Sequence, residues 1–231
     1  MGQLSCSGLK WQRMNDPVCS LKRFYCCLFL ICIISISHSG STADLEWYLP
    51  IKMHNRQSLE KLTLTHIGAY GAVRKPRPGV PSHFHTGIDI KRPSENFLNE
   101  AVFPACRGVI ISLRNDGPFA QVIVEHHLKD SVRVWTVYEH IAGIMSVFGD
   151  TVVPEKPFAR FMNKNELNKL GWQFDHLHFE ILRKPPVPLK PGHVNPFRRF
   201  NTYGLTCYTR EELNAAYYDP GEFFRNVWLN K

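Results

Sequence analysis

Two short stretches of the 231-residue chain concentrate side chains that can hold a metal: His83-Phe84-His85-Thr86-Gly87-Ile88-Asp89 and Asp175-His176-Leu177-His178-Phe179-Glu180. In extended backbone, residues two or four apart emerge on the same face. His176 and His178 therefore point the same way, and His85 does so with Asp89 if its segment is a strand. Adjacent strands carrying such pairs bring three or four nitrogen and oxygen donors together. That set suits Zn²⁺ with a fourth position left open, the catalytic arrangement. The same residue types describe a two-histidine, one-carboxylate iron site, with His83-x-His85 and Asp89 as its ligands. That reading leaves the Tyr138-Glu139-His140 segment without a purpose.

The remaining histidines read more plainly. His83 competes with His85 as a ligand, and Glu180 either orients a ligand as its hydrogen-bond partner or pairs with Arg183. His126 and His127 close a strand and are expected at the surface; His54, His66 and His193 have no partner visible in sequence.

The elements that must position these groups are short and rich in β-formers: Gly87–Ile90, Gly108–Leu113, Gln121–His126, Val132–His140 and His176–Leu182. Asn115-Asp116-Gly117-Pro118 is a turn signal that makes a hairpin of the second and third. Gly149-Asp150 predicts another turn before Thr151-Val152-Val153. Asn163 with Glu166 predicts a capped helix stopping near Gly171, and Thr209 with Glu212 predicts another through about Tyr217. The Pro-rich, basic stretch 72–82 is expected to be loop, and five prolines in Pro185–Pro196 end the sheet. Many short strands with one or two small helices predict a mainly β, antiparallel sheet or sandwich.

The N-terminal 43 residues differ from the rest. Lys10, Arg13, Lys22 and Arg23 precede a 13-residue apolar run, Phe24 to Ile36, followed by small and polar residues to Ala43. Those are the three parts of a secretory signal peptide, with cleavage after Ser39 or Ala43, and the run is short for a bilayer span of about 20 residues. An uncleaved N-terminal anchor is the alternative; either way the bulk of the chain lies outside the cytoplasm. Five of the seven cysteines fall in this leader; Cys106 and Cys207 remain, either paired by an oxidising compartment or as buried thiols. Net charge is +8, about +5 without the leader. This suits an anionic polymer such as a cell wall. The charge is scattered and no nucleic-acid motif accompanies it, so nucleic acid is not expected. The organisation expected is leader 1–43, lead-in 44–63, main domain 64–197 and a C-terminal appendage 198–231 packed on it.

The motifs taken together resemble the lysostaphin/LytM-type (M23) zinc metallopeptidases. His85-Thr86-Gly87-Ile88-Asp89 is similar to the family's H-x-G-[IV]-D, Tyr138-Glu139-His140-Ile141 to its Y-x-H-[LI], and His176-Leu177-His178-Phe179-Glu180 to its H-L-H-F-E. Ala105–Ile110 and Val147–Val152 resemble its intervening strand and turn, so the likeness covers about residues 64–197. The resemblance implies Zn²⁺ held by His85, Asp89 and His178, with His140 and His176 as general base and proton shuttle. It implies an endopeptidase acting on peptidoglycan stem peptides or cross-bridges, or else an idle scaffold or activator of wall amidases. In some relatives an N-terminal segment blocks the groove, a part His54 or Asn55 could play here. Leu170–Asp175 is bulkier than the family's usual Gly/Ser/Thr-rich turn, which puts substrate preference in question.

Overall fold

The computed structural model describes residues 45–190, 195–201 and 207–229. The leader and its cleavage region, and His193, lie outside them. All the described residues fall in one compact unit, Ser41–Lys231.

In chain order the elements are β1 (Val73–Arg74), β2 (His83–Phe84), β3 (Ile88–Lys91), β4 (Ala101–Val102), β5 (Gly108–Arg114), β6 (Gln121–His127) and β7 (Arg133–Glu139). Then come β8 (Ile141–Ala142), β9 (Thr151–Val152), β10 (Ala159–Phe161), α1 (Lys164–Leu170) and β11 (His176–Leu182). β12 (Val187–Pro188), β13 (Phe200–Asn201), α2 (Arg210–Ala216), β14 (Tyr217–Tyr218) and α3 (Pro220–Leu229) complete the chain.

A seven-stranded antiparallel sheet runs β14-β11-β7-β6-β5-β9, with β3 also paired to β11. β3 covers the first half of β11 and β14 the end of it, so both lie along the edge of β11 away from β7. β4, β10 and β8 form a smaller sheet. The mainly β, antiparallel architecture is the one expected.

The central strands are apolar on both faces, and alternation assigns each residue to one of two cores. Val122, Val124, Tyr138, Phe179 and Ile181 enter the larger core, which Trp47, Leu49 and Ile51 join from the N-terminal side and Phe223 and Phe224 from α3. Ile123, Trp135, Val137 and Leu182 face the other way and meet Cys207, Leu213 and Tyr217. His178 and Glu180 alternate with Phe179 and Ile181, so they share this second face with Leu182.

The helices begin where their caps predict. Asn163 and Glu166 form a reciprocal capping box for α1, and Thr209 and Glu212 one for α2. The stretch 72–82 is not all loop: Val73 and Arg74 pair with Phe84 and His83 in a small hairpin. Cys106 and Cys207 are unbridged thiols, both buried, and burial pushes them up to about 12 and about 11. Among the described residues, no helix is long and apolar enough to cross a membrane.

Candidate metal centre and cleft

Strand register sets the site. β11 pairs with β3 so that His178 stands opposite Asp89, and with β7 so that His178 also stands opposite Glu139. Opposed residues project from the same face, which carries Asp89 and His178 to one point above the sheet. Gly87 lets the preceding loop pass close to β11: a Cβ there would lie 2.2 Å from the Phe179 carbonyl oxygen. That approach brings His85 onto the same point.

His85 Nε2, Asp89 Oδ1 and His178 Nδ1 form a triangle with sides of 2.9 to 3.0 Å. All three residues are buried. Each imidazole is oriented from behind. His85 Nδ1–H donates to the Ala69 carbonyl at 2.9 Å, and His178 Nε2–H donates to Glu180 Oε1 at 3.0 Å. Glu180 is itself held by the Thr86 hydroxyl. Arg74 Nη2 donates to Asp89 Oδ2 at 2.6 Å, leaving Oδ1 to the triangle.

The donor set fits a zinc ion. Ligands at about 2.0–2.2 Å from one tetrahedral ion stand about 3.3–3.6 Å apart, a few tenths of an ångström wider than the spacing here. With the rear nitrogens donating, three nitrogen and oxygen atoms converge on one point, where a metal ion, or in its absence protons on the imidazoles, would hold them together. Burial lowers the basicity of His178, but its hydrogen bonds to Asp89 and Glu180 outweigh that and raise its pKa well above the ordinary value. Burial raises Asp89, and hydrogen bonds from His178 and His85 override it and hold the carboxyl far below the usual range. His85 is lowered, chiefly by burial.

Two further histidines stand beside the triangle. His176 Nε2 lies 3.5 Å from Asp89 Oδ1, and the His140 and His176 rings are 4.8 Å apart. His140 Nδ1–H donates to the Pro118 carbonyl at 2.6 Å, so its Nε2 is left as a proton acceptor. His140 also holds a left-handed backbone, φ 63°, a conformation that costs a non-glycine residue about 1–3 kcal/mol and clusters at functional positions. Burial pushes its pKa down to about 3, reinforced by His176; burial also lowers His176.

The five sequence-predicted residues thus converge in a cleft of about 420 Å³. Phe119 and Phe174 stack edge-on at 5.4 Å and flank His140. Gln173 and Phe174, from the bulky stretch before His176, line it as well. His83 lines the cleft but stays outside the triangle, its Nδ1–H donating to Pro81. His54 and Asn55 are exposed and do not line the cleft, so neither blocks the groove. His126 was expected at the surface and is fully buried instead, under Trp47 and against Thr136 and the Arg107 carbonyl. Glu180 serves His178 rather than Arg183, which donates to the Tyr217 carbonyl.

Arg74 and Glu139 were missed in the sequence. Glu139 is buried beside the triangle, with Oε2 accepting from Gln121 and Oε1 without a hydrogen bond, 3.9 Å from His140 Nε2, and burial pushes it up to about 7. Its signal was available: it faces the same way as His178 by strand pairing. Arg74 reaches Asp89 from across a hairpin and left no periodic trace.

No family model matches the sequence, and no curated protein matches it. Similar solved structures include a zinc-containing peptidase from Vibrio cholerae, at 21% identity over 63% of this chain and 39% of that one, TM-score 0.41. The antimicrobial peptidase lysostaphin from Staphylococcus simulans is similar at 17% identity over 82% of this chain and 58% of that one, TM-score 0.43. The complex of SpoIIIAH and SpoIIQ is similar at 16% identity over 59% and 91%, TM-score 0.38. The chain spans about two fifths of the length of the first and under three fifths of the second. The resemblance to lysostaphin-type metallopeptidases is carried by this chain's own three motifs, which meet in one cleft of a mainly antiparallel β fold.

Proposed function

We propose that the chain is an exported zinc-dependent endopeptidase that hydrolyses peptide bonds of peptidoglycan, with His85, Asp89 and His178 as the metal ligands. The observation that carries this is the 2.9–3.0 Å triangle of His85 Nε2, Asp89 Oδ1 and His178 Nδ1 beside two more histidines. Zinc supplies a Lewis acid and lowers the pKa of a bound water from about 15.7 to about 7.

The chain's own residues divide the remaining work. His140, with Nδ1–H fixed on Pro118, takes a proton from the attacking water at Nε2. His176, its ring 4.8 Å from that of His140, relays this proton to the departing amine nitrogen as the carbon–nitrogen bond breaks. A protonated imidazole beside the former carbonyl oxygen stabilises its negative charge. Arg74 and Glu180 fix the ligands.

Zinc content of the purified chain, with muropeptide cleavage alongside, tests this. One zinc per chain is expected, lost in His85→Ala and in His178→Ala. His140→Ala should keep its zinc and lose about 10²–10⁴ of the hydrolytic rate. A folded, zinc-loaded chain that cleaves no wall peptide would favour a scaffold or amidase-activating role instead.

A further inference from the structure

The cleft contains more positive charge than the metal site uses. Arg74, Lys75 and Arg77 all line it, and among the described residues Asp89 is the one carboxylate that does. Arg74 is committed to Asp89 at 2.6 Å. Lys75 and Arg77 are exposed, and neither makes an ion pair or side-chain hydrogen bond among the described residues. Other arginines outside the cleft are paired, Arg92 with Asp175, Arg114 with Asp116 and Arg160 with Glu166. Two adjacent unpaired cations in a concave, partly apolar wall focus a positive potential there.

Their mounting is rigid. Arg77 and Val80 exchange both backbone hydrogen bonds, at 2.8 and 2.9 Å, around Pro78 and Gly79. Proline followed by a glycine at φ 75° is the sequence of a type II turn. Ser82 Oγ donates to the Arg74 carbonyl at 2.9 Å, and β1 pairs with β2 immediately before His85. The backbone that carries the two cations is therefore held in register with a metal ligand.

We infer that Lys75 and Arg77 select substrate peptides carrying a free carboxylate close to the scissile bond, in preference to uncharged cross-bridge peptides. This rests on the peptidase reading above. A neutral strand of small residues would leave both cations unpaired inside the cleft. A carboxylate satisfies them, and the guanidinium fork of Arg77 matches its two oxygens. The carboxylate can be a chain-terminal one or an acidic side chain.

Three fluorescent peptides of the same small-residue sequence separate the cases: one neutral and amidated, one with a free C-terminus, and one amidated with a glutamate. Anisotropy with the zinc-free chain reports binding without turnover, and the zinc-loaded chain reports kcat and KM. One or both acidic peptides should bind about tenfold tighter than the neutral one, the worth of a single charge-assisted hydrogen bond, and which one does so identifies the carboxylate. Lys75→Gln with Arg77→Gln should bring the acidic peptides to the neutral level through KM, and Lys75→Glu with Arg77→Glu should invert the preference. Equal binding of all three peptides by the unaltered chain, or a preference surviving in the double glutamine variant, overturns the inference. Cleavage without preference sinks this inference alone; preferential binding with no cleavage sinks the peptidase reading and leaves the carboxylate site standing.

Discussion

Each imidazole of the triangle is usable because its second nitrogen is already committed. For His178 that partner is Glu180, whose carboxylate fixes the tautomer and makes Nδ1 a stronger donor. Loss of such a partner weakens metal binding about 10–100-fold. Glu180→Ala should therefore raise the zinc dissociation constant by that factor, read by competition with a chromogenic chelator, and Glu180→Gln should fall between. Unchanged affinity in both would mean that Glu180 only fills space. The role was half legible in the sequence. Glu180 lies two residues from His178, hence on its face, whereas Arg183 lies three from Glu180 and so points away in a strand. Arg74 was not legible, because a residue reaching across a hairpin to a position fifteen further on leaves no periodic signal.

Longer strands could be read because seven residues carry several turns of the two-residue period; β5, β6, β7 and β11 lie within a residue or two of expectation. Two-residue strands such as β4 and β8 carry no period at all. α3 is a different kind of omission. Asp219-Pro220-Gly221-Glu222 has an aspartate before a proline at the first helical position and a glutamate third, the same grammar that marks α1 and α2. Asp219 Oδ1 indeed accepts from the Gly221 and Glu222 amides at 2.8 and 3.4 Å. The β3–β11 pairing is the element contact on which the site depends most. An alanine at Gly87 would drive its Cβ against the Phe179 carbonyl and the Glu180 side chain. Separating these segments also shifts His85 from the triangle. Gly87→Ala should lose about 1–3 kcal/mol of stability, as overpacking does, and should lose zinc as well. A urea midpoint and zinc content both equal to those of the unaltered chain would show that the strands can yield there without consequence.

The two ends of the described chain close over the sheet, and this long-range packing decides what happens to His126. Strand-end position made it look exposed, but Trp47, far back in sequence, covers its ring at 5.1 Å and Trp228 of α3 donates to the Trp47 carbonyl. Inside, His126 Nδ1–H donates to the Arg107 carbonyl, and Nε2 meets the Thr136 hydroxyl, which lies 3.0 Å from the Tyr138 hydroxyl. A neutral ring suits that network, and burial pushes the His126 pKa down to about 4. An unfolded histidine titrates near 6.5. As pH falls below that value the unfolded chain takes up the proton first, so stability declines from about pH 6.5 and stops declining from this cause near pH 4. The full shift corresponds to roughly 3 kcal/mol. His126→Gln cannot titrate there. Its stability should start lower than that of the unaltered chain at pH 8, and the gap should narrow as pH is lowered to 4.5. Denaturant unfolding of both chains at matched zinc occupancy measures the gap directly, and cancels whatever acid does to the metal site. A gap that stays constant or widens on acidification would mean that His126 is charged in the folded chain, and that the cover formed by Trp47 and α3 admits solvent.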